Sequence, residues 1–454
     1  MNKIIEETTK RLEQCLPLAD ETRLVSIGQN NLSQAGNIFQ SCFDTKRVVV
    51  IADCNTFEAA GRIVNTNISS ENILSVEEPF LFQEKEFHAD SKHLEEVRCF
   101  LAKTDAIPIA VGSGTINDLV KRAAFECQRS YMIIGTAASV DGYTSFGASI
   151  EMDGMKQTLT CFAPRVVLID LEILKHAPQE LNAAGYADLL AKIPAGADWI
   201  LADKIGTEPI HRTAWDIVQK PLRQWLAQPE GIATNNPSAL CLLIEGLIMS
   251  GLAMQIAKTS RTASGAEHMF SHLWDNQHHT FQGKIPSHGF KVGIGSIAVS
   301  LLYEKMLAFT KEEFSKSKQN IAATHRRWHE IEQTVRTNFG NGNLAEQVLE
   351  QSRQKYVDLL EIIRRFDVFL EHWDELKDEL QRQLIPAAAI CEMLRKAKAP
   401  SSPEEIGIDR NRLRQSFGQA QLIRYRYNIL DFVMETGHWE IISSMPLEFP
   451  NAKN

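Results

Sequence analysis

The stretch VGSGTINDLVK, residues 111 to 121, runs from the end of a β-branched apolar segment through Gly112, Ser113 and Gly114 into residues at helical spacing, with Thr115 expected as N-cap. Strand, glycine turn and helix in that order bring backbone N–H groups and a partial positive charge to one point, which suits a phosphate. A tight turn of an α/β fold that binds nothing has the same pattern, and the GxGxxG spacing of the usual dinucleotide fingerprint is absent. On either side, KRVVVIA (46 to 52), IPIAV (107 to 111), YMIIG (131 to 135) and RVVLI (165 to 169) are short apolar runs bounded by polar or turn residues, as buried parallel strands are. Between them, DSKHLEEVRCFLAK (90 to 103) and NDLVKRAAFE (117 to 126) repeat apolar residues every three or four positions. The alternation from about residue 46 to residue 170 predicts an N-terminal α/β domain, placed at residues 1 to 175.

From about residue 178 the β signal disappears. PQELNAAGYADLLAKIPAGADWILADK (178 to 204) and PSALCLLIEGLIMSGLAMQIAK (237 to 258) read as helices, followed by several more beyond residue 289, and predict an all-α C-terminal domain over 176 to 454. NLAEQVLEQSRQKYVDLLEIIRRF (343 to 366) and LIRYRYNILDFVMET (422 to 436) are amphipathic but hold no strict heptad, which favours bundle helices over a coiled coil. Pro400, Ser401, Ser402 and Pro403 mark a loop in KAPSSPEEIG (398 to 407), and there is no internal repeat or low-complexity tract. In HRRWHEIEQTV (325 to 335), Trp328 suits a dimer contact or core packing equally.

The 454 residues are 44% hydrophobic and 23% charged, enough for two or three packed units. A net charge of -9 and a sequence pI near 5.9 give no long-range attraction for polyanions and disfavour a nucleic-acid partner. The eight cysteines are scattered without a CxxC pair and read as reduced thiols. No signal peptide and no continuous apolar run of membrane-spanning length are visible, so a cytoplasmic protein without membrane insertion is expected.

A second loop, GTAASVDGYTS (135 to 145), follows a strand and offers small residues and two threonines. Asp53 ends the first strand in IADCNT, either as a turn aspartate or facing a ribose, in which case it tilts the choice toward NAD over NADP. In SRTASGAEHMFSHLW (260 to 274), His268 and His272 stand four apart on one helix face, and His288 follows in PSHGFKVG. Five of the thirteen histidines fall between residues 268 and 288, and neutral imidazoles with a carboxylate bind divalent transition metals. A solvated histidine face is the bland alternative. Asp188 and Lys192 share a face in AAGYADLLAKI; a surface ion pair would look alike, although the Ala-, Gly- and Leu-rich context suggests interior helices.

The segments GSGTINDLVK, GTAASVDGYTS, GYADLLAK, SGAEHMFSHLW and SHGFKVGIGS, with SSPEEIG and LIRYRYNILDF, resemble the sn-glycerol-1-phosphate dehydrogenases, bacterial branch, of the dehydroquinate synthase-like and iron-containing alcohol dehydrogenase superfamily. The resemblance runs from about residue 46 to the C-terminus and implies a nucleotide-binding domain, a helical domain and an active site in the cleft between them. It implies Asp188, His268 and His288 as metal ligands and His272 as a proton relay beside the substrate. Cofactor contacts fall on Asp53, Gly112, Ser113, Gly114, Asp118, Thr136 and Ser139, and Asp141 lies close to substrate. Lys192, also counted among the catalytic residues, and Arg261 are assigned to the substrate phosphate by charge and by nearness to the ligands in sequence. The cofactors expected are NAD or NADP and one divalent metal, zinc or nickel first. The reaction expected is interconversion of dihydroxyacetone phosphate and sn-glycerol 1-phosphate by a homodimer. A sugar-phosphate cyclase, which would favour Glu where this chain has Asp188, and a glycerol or alcohol dehydrogenase are the alternatives; a binding module with a vestigial nucleotide site is disfavoured by the complete ligand set.

Overall fold

The apolar runs pair side by side in the computed structural model, which describes residues 1–45, 47–70, 75–84, 87–152, 154–447 and 449. Lys46, at the head of the first expected strand, lies outside them. The strands are β1 (Leu24–Gly28), β2 (Arg47–Asp53), β3 (Ser75–Val76), β4 (Phe80–Phe82), β5 (Ile107–Gly112), β6 (Met132–Gly135), β7 (Gly147–Met152), β8 (Met155–Thr160) and β9 (Val166–Asp170). Seven form one parallel sheet in the order β1-β9-β6-β5-β2-β3, with β4 also on β2, while β7 and β8 make an antiparallel hairpin. Both faces of the central strands are buried: Val48, Val50, Ile109 and Ile134 pack with Phe39, Val64 and Ile68 on one side, while Val49, Ile51, Ala110 and Ile133 are equally hidden. This two-sided burial is why the strands read as continuous apolar runs.

Several expectations are corrected. The alternation begins earlier than residue 46, since Leu24–Gly28 pairs with β9, and the edge strands β3 and β4 and the hairpin carry too weak a pattern to be read. The helix after the glycine turn spans Gly114–Glu126 with Ser113, not Thr115, at its N-cap. The segment 178 to 204 is two helices, Gln179–Leu190 and Lys192–Lys204, interrupted at Ala191. The segment 343 to 366 breaks where Asp358 caps a new helix, giving Asn343–Lys355 and Leu359–Glu371. In 422 to 436, Leu422 ends the helix Arg410–Leu422 and a separate helix spans Ile429–Glu435, with Asn428 and Asp431 forming a capping box.

The chain groups into two compact units, residues 1–189 with 213–263 and 396–398, and residues 190–212 with 264–395 and 399–454. A single cut after residue 175 therefore differs from the packing: the helix Pro237–Ala257 belongs with the sheet-bearing unit. Among the described residues this is the one unbroken helix long and apolar enough to cross a membrane, though Glu245 interrupts its apolar run. The chain's own elements bury 94% of its most apolar window. Its single acid, Glu245, is paired with Arg11 and accepts from Thr8 Oγ1 at 2.5 Å, both on the helix Asn2–Cys15. In the second unit, Asp198 ties the helices together: its Oδ1 accepts from Tyr303 Oη at 2.7 Å and Ile429 N at 3.0 Å, and its Oδ2 from Ala266 N at 2.6 Å.

Candidate functional site

In the sheet-bearing unit, Asp53, Gly112 and Thr136 stand at the carboxyl ends of three adjacent strands, where ligands of open α/β sheets bind. Gly112 pairs with Gly135, and Thr136 N donates to Gly112 O at 3.1 Å. A Cβ on Gly112 would lie 2.5 Å from Ile116 Cβ, so glycine is required for the helix Gly114–Glu126 to turn back against its strand. Ser113 makes no side-chain cap bond, so the first N–H groups of that thirteen-residue helix are uncapped by it, as a phosphate cradle needs. Asp53 caps the following turn, its Oδ1 accepting from Asn55 N at 2.8 Å and Thr56 N at 2.9 Å. Asp118 accepts from Ser149 N at 3.1 Å, and burial pushes its carboxyl above the ordinary range.

The loop 136–145 is held on all sides by buried polar groups. Lys121, fully buried, donates through Nζ to Gly142 O at 2.6 Å, Ser145 O at 3.0 Å and Gly147 O at 3.1 Å. Asn182 Oδ1 accepts from Ala138 N at 3.0 Å, Tyr143 Oη donates to Ala137 O at 2.7 Å, and Thr144 Oγ1 donates to Ile248 O at 2.7 Å. Gly185 and Gly251 have no room for a Cβ against Ala138 O and Thr144 Oγ1, which lets their helices touch the loop backbone. The result is an acidic pair: Asp141 N donates to Asp188 Oδ2 at 3.1 Å, and Ser250 Oγ donates to Asp141 Oδ2 at 3.0 Å. Asp188 is fully buried.

In the second unit, the helices Ala266–Asn276 and His288–Leu307 carry three histidines facing one another, with ring centroids 5.2 Å apart for His268 and His288, 6.4 Å for His268 and His272, and 6.1 Å for His272 and His288. The helices approach this closely because Gly295 lies against the backbone of Glu267, where any side chain would collide. Buried Lys291 and Asp275 pair across them. His268 Nδ1–H donates to Glu267 Oε1 at 2.8 Å, and Ser271 Oγ meets His288 Nδ1 at 3.0 Å. With Nδ1 engaged in both rings, Nε2 is the nitrogen that could face a metal, in the way outer partners orient ligating imidazoles.

Lys192 and Arg261 are both fully buried, which excludes a surface ion pair as the reason for Lys192. Arg261 sits in the one-turn helix Ser260–Thr262. Thr136 and Ser139 are buried within the clamped loop. Sequence reading missed Lys121, Asn182, Asp198, Ser250, Glu267 and Ser271, since each works through a partner distant in the chain or through a neighbour whose role the fold defines. Trp328 stacks beneath the guanidinium of Arg353 at 4.5 Å and meets Tyr356 edge-on at 5.6 Å, so packing within its own unit accounts for it.

The family model described as iron-containing alcohol dehydrogenase matches residues 26–178. A glycerol-1-phosphate dehydrogenase (NAD(P)+) of Halalkalibacterium halodurans is 36% identical over 262 residues, 57% of this chain and 65% of that protein, so the chain spans about two thirds of that relative's length. The protein of the same name from Bacillus licheniformis is 32% identical over 316 residues, 68% of this chain and 78% of its own length. The crystal structure of sulfoacetaldehyde reductase from Bifidobacterium kashiwanohense shares the fold, with a TM-score of 0.57 at 14% identity over 94% of this chain and 98% of that one. The chain belongs to the glycerol-1-phosphate dehydrogenase (NAD(P)+) family.

Proposed function

We propose that the chain catalyses the metal-dependent, NAD(P)-linked interconversion of dihydroxyacetone phosphate and sn-glycerol 1-phosphate, with Asp188, His268 and His288 as ligands of one divalent ion. The observation that carries this reading is the pinning of Nδ1 in both His268 and His288, by Glu267 and Ser271, which is what a nitrogen-ligated metal requires of its imidazoles. Two imidazoles and a carboxylate are a donor set for zinc, nickel, iron or cobalt, with zinc and nickel favoured by the affinity order. When bound, the ion supplies Lewis-acid polarisation of the substrate oxygens, and the nicotinamide supplies or accepts the hydride.

The chain's own groups do the rest. The uncapped N-terminus after Gly112, Ser113 and Gly114 takes the cofactor pyrophosphate, with Asp53, Asp118, Thr136 and Ser139 lining the rest of that site. Asp141, held by Ser250, orients a substrate hydroxyl, and its backbone fixes the Asp188 carboxylate. His272, half-buried beside the other two rings, moves the proton to or from the substrate oxygen. Lys192 and Arg261 neutralise the substrate phosphate. The proposal extends to a cytoplasmic homodimer, which light scattering on the purified protein would check.

The test is oxidation of NADH and of NADPH with dihydroxyacetone phosphate, using metal-stripped protein, protein restored with zinc or nickel, and His268→Ala. Turnover that needs metal and vanishes in the variant supports the assignment. Absence of turnover with either cofactor in the metal-restored protein overturns it and brings the cyclase alternative forward.

A further inference from the structure

Outside these groups, the second unit has a partly open cavity of about 60 Å³ between the segments 325–362 and 421–435, several times the ~10–15 Å³ that a single water needs. Its lining carries Arg326 and Lys355 against Asp431 and Glu435. Lys355 pairs with Asp431 at 2.7 Å, and Arg365, behind the wall, pairs with Glu435 at 3.2 Å, while Tyr427 Oη donates to Glu435 at 3.0 Å. Arg326, part-buried, also lines the cavity; among the described residues it makes no hydrogen bond or contact ion pair, and burial holds its guanidinium below its ordinary value against the longer-range attraction of Asp431 and Glu330. A second polar group is unsatisfied there. Gln421, more than nine-tenths buried, donates through Nε2 to Asp431 Oδ1 at 2.7 Å, and that bond to a carboxylate fixes the amide so that Oε1 is left in the cavity wall without a donor. Ile331, Ile362, Leu422 and Met434 complete the lining with hydrocarbon.

A guanidinium without a hydrogen-bonded partner, an acceptor lacking a donor and an apolar wall together describe a ligand. We propose that this cavity binds a small hydroxycarboxylate of two to four carbons. Its carboxylate takes the Arg326 guanidinium, its hydroxyl donates to Gln421 Oε1, and its short hydrocarbon part lies against Ile362 and Met434. The cavity is built entirely from the second unit and shares no residue with the proposed metal ligands.

The experiment is isothermal titration of the full chain with L-lactate, with propionate and inorganic phosphate as comparison probes. His268→Ala is titrated in parallel, because hydroxyacids also chelate metals. The result expected is saturable one-to-one lactate binding that His268→Ala retains, propionate binding several-fold weaker for want of the hydroxyl, and no competition by phosphate. Arg326→Gln should weaken lactate binding by about tenfold or more. Gln421→Leu, which keeps the charge and loses the acceptor, should abolish the preference for lactate over propionate; circular dichroism on both variants verifies that they fold. Absence of lactate binding, binding lost in His268→Ala but kept in Arg326→Gln, or tighter binding of phosphate than of lactate would each overturn the proposal.

Discussion

Gly295→Ala places one methyl group where the two histidine-bearing helices touch. A Cβ on residue 295 falls 3.1 Å from both Cα and C of Glu267, and closer still to its carbonyl oxygen. Comfortable carbon contacts begin near 3.5 Å, so the helix Ala266–Asn276 must withdraw by roughly 0.5–1 Å at the residue immediately before His268. Overpacking of this kind costs about 1–3 kcal/mol, offset by up to ~1 kcal/mol of helix propensity gained on replacing glycine. The net expectation is a loss of about 1–2 kcal/mol and a melting temperature lower by several degrees. The functional effect should exceed the thermal one, because a ligand misplaced by about 1 Å costs on the order of 100-fold. Metal affinity, read by competition with a chromophoric chelator, should fall by about 10–100-fold, and the stabilisation that added zinc or nickel confers in thermal scans should shrink accordingly. A variant with unchanged melting temperature and unchanged metal affinity would refute the claim that this close approach sets the ligand geometry.

Ser271→Ala removes the partner of His288 Nδ1 at 3.0 Å and should lower metal affinity by ~10–100-fold with little change in the melting temperature of metal-free protein; equal affinities in the same chelator competition would count against it. Lys121→Met leaves the carbonyls of Gly142, Ser145 and Gly147 without their buried donor and should cost about 3 kcal/mol in denaturant unfolding, with weaker NADH binding by fluorescence titration as the loop loosens. Burial pushes Glu435 up to about 7 from its ordinary 4.5, so the folded protein favours the protonated carboxyl. That contribution is fully present below pH 4.5 and is lost as pH rises through about 7, with an upper bound of about 3 kcal/mol. Unfolding curves from pH 5 to pH 8 should therefore be flatter for Glu435→Gln than for the parent chain; identical slopes would show that the Arg365 pair cancels the burial cost.

The sequence alone determined the elements whose physics is local. Four apolar runs, long enough and apolar enough to be buried on both faces, announced the central parallel strands, and the glycine turn at 112–114 announced a helix start beside them. The spacing of His268 and His272 placed both on one helix face without reference to anything else. Tertiary structure decided what depends on distant partners. Leu24–Gly28 is a strand because β9 offers it an edge, and a five-residue run carries too little pattern to say so. Lys121 reads as one more helical lysine until the fold folds the 141–147 carbonyls around its ammonium group, and Glu267 and Ser271 gain their roles only when two helices meet at Gly295. Asp198 is a hub because it is buried among N–H and O–H donors from three segments that lie up to 231 positions from it along the chain. Periodicity records which face of an element is buried; the identity of the groups it is buried against is written only in the fold, because hydrogen-bond satisfaction is a property of pairs and not of residues.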